Sequence, residues 1–161
     1  MAKKIGFIVE GDVDKQVIAA LVARIVPTVE FKVVRLGGKA ALTTAHTTAA
    51  LFLHRGYSRV FIVFDTDTTD KAEIETQRAA VESSLREHDL LADCTIVPIA
   101  PSIHVWMSSK FLDGDRPSRV SELVQRISVG KLETGNASFA EFARLLRNVA
   151  QSRRGSARKT A

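Results

Sequence analysis

The chain has 161 residues, the length of one ordinary domain, with 45% hydrophobic and 25% charged residues, the usage of a folded protein rather than a disordered one. One cysteine, Cys94, excludes an internal disulfide framework and any multi-cysteine zinc site. The net charge of +5 sits almost wholly at the end, where Arg153, Arg154, Arg158 and Lys159 stand without an acid, so residues 1–150 sum to only +1.

In chain order, Lys4–Val9 (KIGFIV) predicts a buried strand and Glu10-Gly11-Asp12 a turn. Val13, Val17, Ile18, Leu21, Val22 and Ile25 recur at helical spacing until Pro27 closes the helix. Phe31–Leu36 (FKVVRL) predicts a second strand ending in Gly37-Gly38-Lys39. Ala40–Arg55 then predicts one helix, closed by Gly56. Val60–Phe64 is five continuous apolar residues, the mark of a central strand covered on both faces. Asp65-Thr66-Asp67-Thr68-Thr69-Asp70 follows, then a polar helix over 71–90 and a fourth strand, Thr95–Ile99, whose Pro98 predicts an edge position. The rest reads as helical over 103–112, 117–127 and 138–150, the last opened by a capping box from Ser138 to Glu141.

Four strands separated by helices, with no hairpin signal, predict an open α/β layer: a Rossmann-like parallel sheet flanked by helices. Residues 1–112 form that domain, 113–150 a helical extension of it, and 151–161 a basic tail of disordered composition. Such a tail fits a phosphate backbone or serves solubility alone. Every apolar run is far too short for a membrane span, and the N-terminus lacks a signal-peptide core, so a cytoplasmic protein is expected.

Chemistry in open α/β sheets sits beyond the carboxyl ends of the strands. There the first strand brings Glu10, with Asp12 and Asp14 behind it, and the third brings Asp65 and Asp67, with Asp70 nearby. If these strands are neighbours, several carboxylates face one small volume, and their mutual repulsion favours a hard divalent cation. Mg²⁺ matches best, with Mn²⁺ as a substitute. No zinc and no nucleotide cofactor are expected. Glu10 and the two aspartates also read as helix-terminus and turn residues, and Gly37-Gly38-Lys39 reads equally well as a plain turn before a helix.

Val9-Glu10-Gly11 with Asp14, a helix, and then a hydrophobic strand ending Phe64-Asp65-Thr66-Asp67 resembles the Toprim domain of topoisomerases, bacterial-type primases, small ribonucleases and the overcoming-lysogenization-defect (OLD) nucleases. The similarity covers about residues 3–112. Gly37-Gly38-Lys39 resembles the OLD-type and stand-alone members most. The resemblance implies Glu10 as general acid/base or metal ligand, Asp65 and Asp67 as catalytic Mg²⁺ ligands, and Asp14 first as a helix-dipole partner and second as a ligand. It also implies phosphate contact from the backbone of Gly37 and Gly38 and from Lys39, and Gly11 and His104 are further candidates for phosphate or nucleic-acid contact.

His104 stands before Trp106 where related proteins often carry an acid, which departs from the two-metal pattern. An ATP-driven step, as in full OLD nucleases, would need an ATPase or other partner chain. Tyr57, the only tyrosine, precedes the third strand and does not suit a topoisomerase nucleophile. Elsewhere His46, His54 and Cys94 read as structural, Trp106 and Phe111 as core anchors, and Arg35 and Lys110 as surface cations within reach of phosphate.

The expectation is thus an Mg²⁺-dependent nuclease-like protein acting on DNA or RNA, in nucleic-acid processing or defence against phage. A non-catalytic module binding nucleic acid or a partner is the alternative. A phosphorelay receiver, with Asp65 as phospho-acceptor, ranks below both because only four strands are expected.

Overall fold

A computed structural model describes residues 3–107 and 120–152. Four strands, β1 (Lys4–Val9), β2 (Glu30–Arg35), β3 (Arg59–Asp65) and β4 (Cys94–Ile99), form one parallel sheet in the order β2-β1-β3-β4. This is the expected Rossmann-like α/β arrangement. Among the described residues six α-helices accompany it: α1 (Asp12–Ile25), α2 (Ala45–His54), α3 (Lys71–Glu87), α4 (Val120–Gln125), α5 (Val129–Gly135) and α6 (Ala137–Gln151).

Period-two alternation divides each strand between two cores. Ile5, Phe7, Val9, Phe61, Val63, Val97 and Ile99 face α1, α4 and α6, where Trp106, Phe139, Phe142 and Leu146 are buried with them. Ile8, Val60, Ile62, Phe64 and Cys94 face α2 and α3 through Ala45, Ala49, Phe52, Val81 and Leu85. The unbroken apolar run of β3 follows from that double cover, and β4 lies at an edge, as Pro98 predicts. Among the described residues no helix is long and apolar enough to cross a membrane.

Four expectations need correction. The segment 40–55 is not one helix. A 3₁₀ helix spans Lys39–Thr44 before α2 begins, and the hydroxyls of Thr43 and Thr44 donate to the carbonyls of Ala40 and Ala41 three residues back, a local bond that competes with α geometry.

The third helix stops at Glu87, because Asp89 takes a left-handed φ of 56° and Leu90 N–H turns back to Leu85 O. α6 is capped by Asn136, whose Oδ1 accepts from Phe139 N–H, and not by Ser138. The Ser138 hydroxyl instead donates to Asn136 and accepts from Trp106 Nε1, while Glu141 pairs with Arg144. Ile103–Trp106 forms a 3₁₀ turn that leaves helical geometry at Met107.

Phe111, Lys110, the boundary at 112, the start of the helix expected from 117 and most of the basic tail lie outside the described residues.

Candidate functional site: a carboxylate cluster at the strand ends

The chain winds outward in both directions from the pair β1–β3, since β2 adds beside β1 and β4 beside β3. Loops after β1 and β3 therefore part to opposite sides and leave a crevice at the carboxyl ends of these two strands. Glu10 follows β1 directly, and Asp65 is the last residue of β3. The two acidic clusters of the sequence thus meet at one crevice.

Hydrogen bonds fix the cluster from several elements. Glu10 Oε1 accepts from Asp65 N–H at 2.9 Å, which ties the ends of β1 and β3 together through a catalytic candidate's own side chain. Asp65 Oδ1 accepts from Ile103 N–H at 2.7 Å, so the 3₁₀ turn after β4 orients that carboxylate. Asp14, in the first turn of α1, accepts at Oδ2 from Gly11 N–H at 3.1 Å. Lys39 reaches across from the segment after β2, and its Nζ donates to Asp65 O at 2.9 Å and to Asp67 Oδ2 at 2.7 Å.

Asp67 itself has φ 57° and donates its N–H to Pro101 O, a left-handed conformation that aspartate tolerates better than most residues. Asp12 pairs with Arg35 at 3.0 Å, and Asp70 caps α3 through Glu73 N–H. Both belong to the surroundings of the cluster.

Gly37 and Gly38 have φ of 86° and 132°, values that favour glycine. Their N–H groups both donate to Glu10 O, at 3.0 and 2.9 Å. The amides expected to meet phosphate from Gly11, Gly37 and Gly38 are therefore engaged within the chain. They set the positions of Asp14 and Glu10, and Lys39 is the side chain of this loop that reaches the aspartates. His104 is exposed on the 3₁₀ turn and lies close enough to Asp14 to favour its ionised form.

Electrostatics separate this cluster from ordinary turn aspartates. Burial raises the Asp65 carboxyl to about 7; Asp14, Glu10 and Asp67 push the same way, while the Ile103 amide opposes them. Glu10 is raised first by burial and then by Asp14 and Asp67, against the Asp65 amide and Lys39. Asp14 is raised by burial and by Asp67, against the Gly11 amide and His104. Each carboxyl is thus short of positive charge.

That deficit is the test of whether the residues suit a divalent cation. Among the described residues no three His, Cys, Asp or Glu side chains already form a ready-made cage. The donors are all hard oxygens, and Lys39 occupies Asp67 as an internal counter-cation. Such a set fits Mg²⁺, which binds through one or two carboxylates and fills its shell with water and phosphate oxygens. It does not fit a soft or fully caged metal.

Two supporting residues carry no sequence signal of their own. Thr66 is buried at 2% exposure, and its hydroxyl bonds to Thr68 O and Ile99 O. Gln77 of α3 donates through Nε2 to Thr66 O. Together they brace the loop between Asp65 and Asp67. Comparison of the sequence with protein-family profiles and with curated proteins gives no match.

Proposed function

We propose that the chain is a Toprim-like, Mg²⁺-dependent phosphodiesterase acting on DNA or RNA. The observation that carries this reading is the shared crevice. Glu10, Asp14 and Asp65 are each raised there by burial and by neighbouring carboxylates, Asp67 among them, with Lys39 as the one cation bonded into the cluster among the described residues. Isolated helix caps or turn residues would not be coupled in this way.

Within the site Glu10 serves as the proton carrier, held through Oε1 by the Asp65 amide and raised by burial above the ordinary carboxylate value. Asp65 and Asp67 would hold the metal, with Asp65 aimed by the Ile103 amide and Asp14 held in the first turn of α1 by the Gly11 amide. When bound, Mg²⁺ supplies Lewis-acid polarisation of a phosphoryl oxygen and acidifies water. Lys39 then exchanges Asp67 for a non-bridging phosphate oxygen, placing a point charge where negative charge grows. His104, exposed beside Asp14, faces the nucleic acid.

A second reading, a non-catalytic module that binds nucleic acid or a partner, is favoured by the Lys39–Asp67 pair, which already neutralises one of the candidate ligands. A receiver role finds less support, because the described sheet has four strands.

The deciding experiment is cleavage of labelled single- and double-stranded DNA and RNA with Mg²⁺ or Mn²⁺, with EDTA, Glu10→Gln and Asp65→Asn as controls. The proposed activity disappears in all three controls. Cleavage that survives both substitutions places the chemistry elsewhere. Metal binding without cleavage favours the second reading.

A further inference from the structure

On the sheet's far side from α1, at the edge away from β4, β2 and α2 enclose a groove of ≈ 220 Å³ lined by Lys32, Val34, Leu51, Phe52, Arg55 and Tyr57. It is distinct from the carboxylate cluster. Leu51 is 52% exposed here, the most exposed large hydrophobic residue described. Its floor is apolar and aromatic, with Phe52 and Tyr57 packed edge to face at 4.8 Å.

The groove borders an unpaired strand. Glu30 N–H donates to Lys3 O and Leu36 N–H to Val9 O, so by the alternation of a parallel ladder the main-chain groups of Phe31, Val33 and Arg35 face outward from the sheet. The opposite edge, β4, carries Pro98 and offers a broken row of donors. β2 is the receptive edge.

Charge selects the occupant. Among the described residues neither Lys32 nor Arg55 has an ion-pair partner, although both line the groove. Two copies of this edge set side by side would bring these cations together, and charge on an edge strand opposes such self-pairing. An acidic segment meets no such repulsion.

We propose that β2 and α2 form a docking groove for an extended peptide segment of a partner protein, in which acidic and apolar side chains alternate with outward-facing ones. The segment adds a fifth strand beside β2. Its main chain bonds to Phe31, Val33 and Arg35, its apolar side chain rests on Leu51, Phe52 and Tyr57, and its carboxylate meets Lys32 and Arg55. Main-chain pairing gives affinity, and the groove gives specificity. This inference does not depend on the catalytic reading.

The test is selection from a random heptapeptide display library against the whole protein, followed by titration of the enriched peptides into ¹⁵N-labelled protein. The expected peptides combine acidic and apolar residues at alternate positions, and they perturb the amides of Phe31, Val33 and Arg35. Alternate N-methylation of the peptide, which removes main-chain donors without touching the protein, abolishes binding. Lys32→Glu with Arg55→Glu, both at the groove rim, weakens the acidic peptides about tenfold and shifts selection toward basic ones. The proposal is overturned by an empty selection, by binding indifferent to charge reversal or N-methylation, or by amide shifts elsewhere. A self-associated protein whose β2 edge is already covered by a second copy overturns it too.

Discussion

Asp65 sits where three of the hydrogen bonds that shape the crevice converge. Its amide holds Glu10, its carbonyl receives Lys39, and its carboxylate receives the Ile103 amide. The folded side chain keeps its proton up to about 7, whereas the ordinary value is 3.8. Between those values the folded state binds more protons than the unfolded one, so stability falls as pH rises through this window. Asp65→Asn removes that dependence while leaving an oxygen to accept from Ile103. Without metal, the variant is expected to melt about 2–4 °C above the parent near pH 8 and level with it near pH 4. Parallel melting curves across that range contradict the raised carboxyl.

Lys39 carries the complementary prediction. As a built-in counter-cation it competes with a metal for Asp67. Lys39→Gln should tighten Mg²⁺ about fivefold by calorimetry while slowing phosphodiester cleavage. Unchanged Mg²⁺ binding by the variant would place Lys39 outside the site. The aspartates and Glu10 were legible from sequence because strand ends are fixed by short apolar runs. The direction of Lys39 and the use of Gly37 and Gly38 amides by Glu10 O were not, because each depends on how the loop after β2 folds back over β1.

β1 shows how an element sets the site. It is one of the two inner strands, pairing with both β2 and β3, and its Gly6 admits the Phe52 ring of α2. A methyl group at Gly6 would stand 2.7 Å from Phe52 Cγ and Cδ1, so Gly6→Ala is expected to cost about 1–3 kcal/mol in denaturant unfolding. An unchanged midpoint would mean that α2 does not lie against β1 as described. On the opposite face, α6 buries Phe142 against Phe7, Phe61 and Trp106. Phe142→Ala should cost about 3–5 kcal/mol and leave the Glu10–Asp65 contact intact.

Elements with strong periodicity, such as β3 and α1, were readable to within a residue or two. α5 was not foreseen. Its Val129–Gly135 sequence contains two glycines and buries no residue, so it depends on packing against its neighbours rather than on an apolar stripe of its own. The stacking of His46 on His88, with ring centroids 3.9 Å apart, likewise arises only when α2 and the end of α3 are brought together.

Over the molecule as a whole, charge and fold assign different tasks to different regions. Positions 1–150 are close to neutral, and the excess of positive charge lies in Arg153, Arg154, Arg158 and Lys159. If this tail tracks a phosphate backbone, deleting 153–161 should flatten the slope of log K against log salt for nucleic-acid binding by about 3. An unchanged slope would leave the tail to solubility alone. The sheet order β2-β1-β3-β4 leaves the crevice at its centre and the groove at its β2 edge, so one domain presents two separable surfaces. The proposed function requires the crevice to bind a divalent cation. Calorimetric titration of Mg²⁺ near pH 6, repeated in two buffers of different ionisation enthalpy, tests it most directly. Because Asp65 is protonated there and must ionise to bind, about one proton should leave per metal bound. That release should be lost in Asp65→Asn. Absence of binding, or binding with the same proton count in the variant, would contradict the assignment of the crevice as a metal centre.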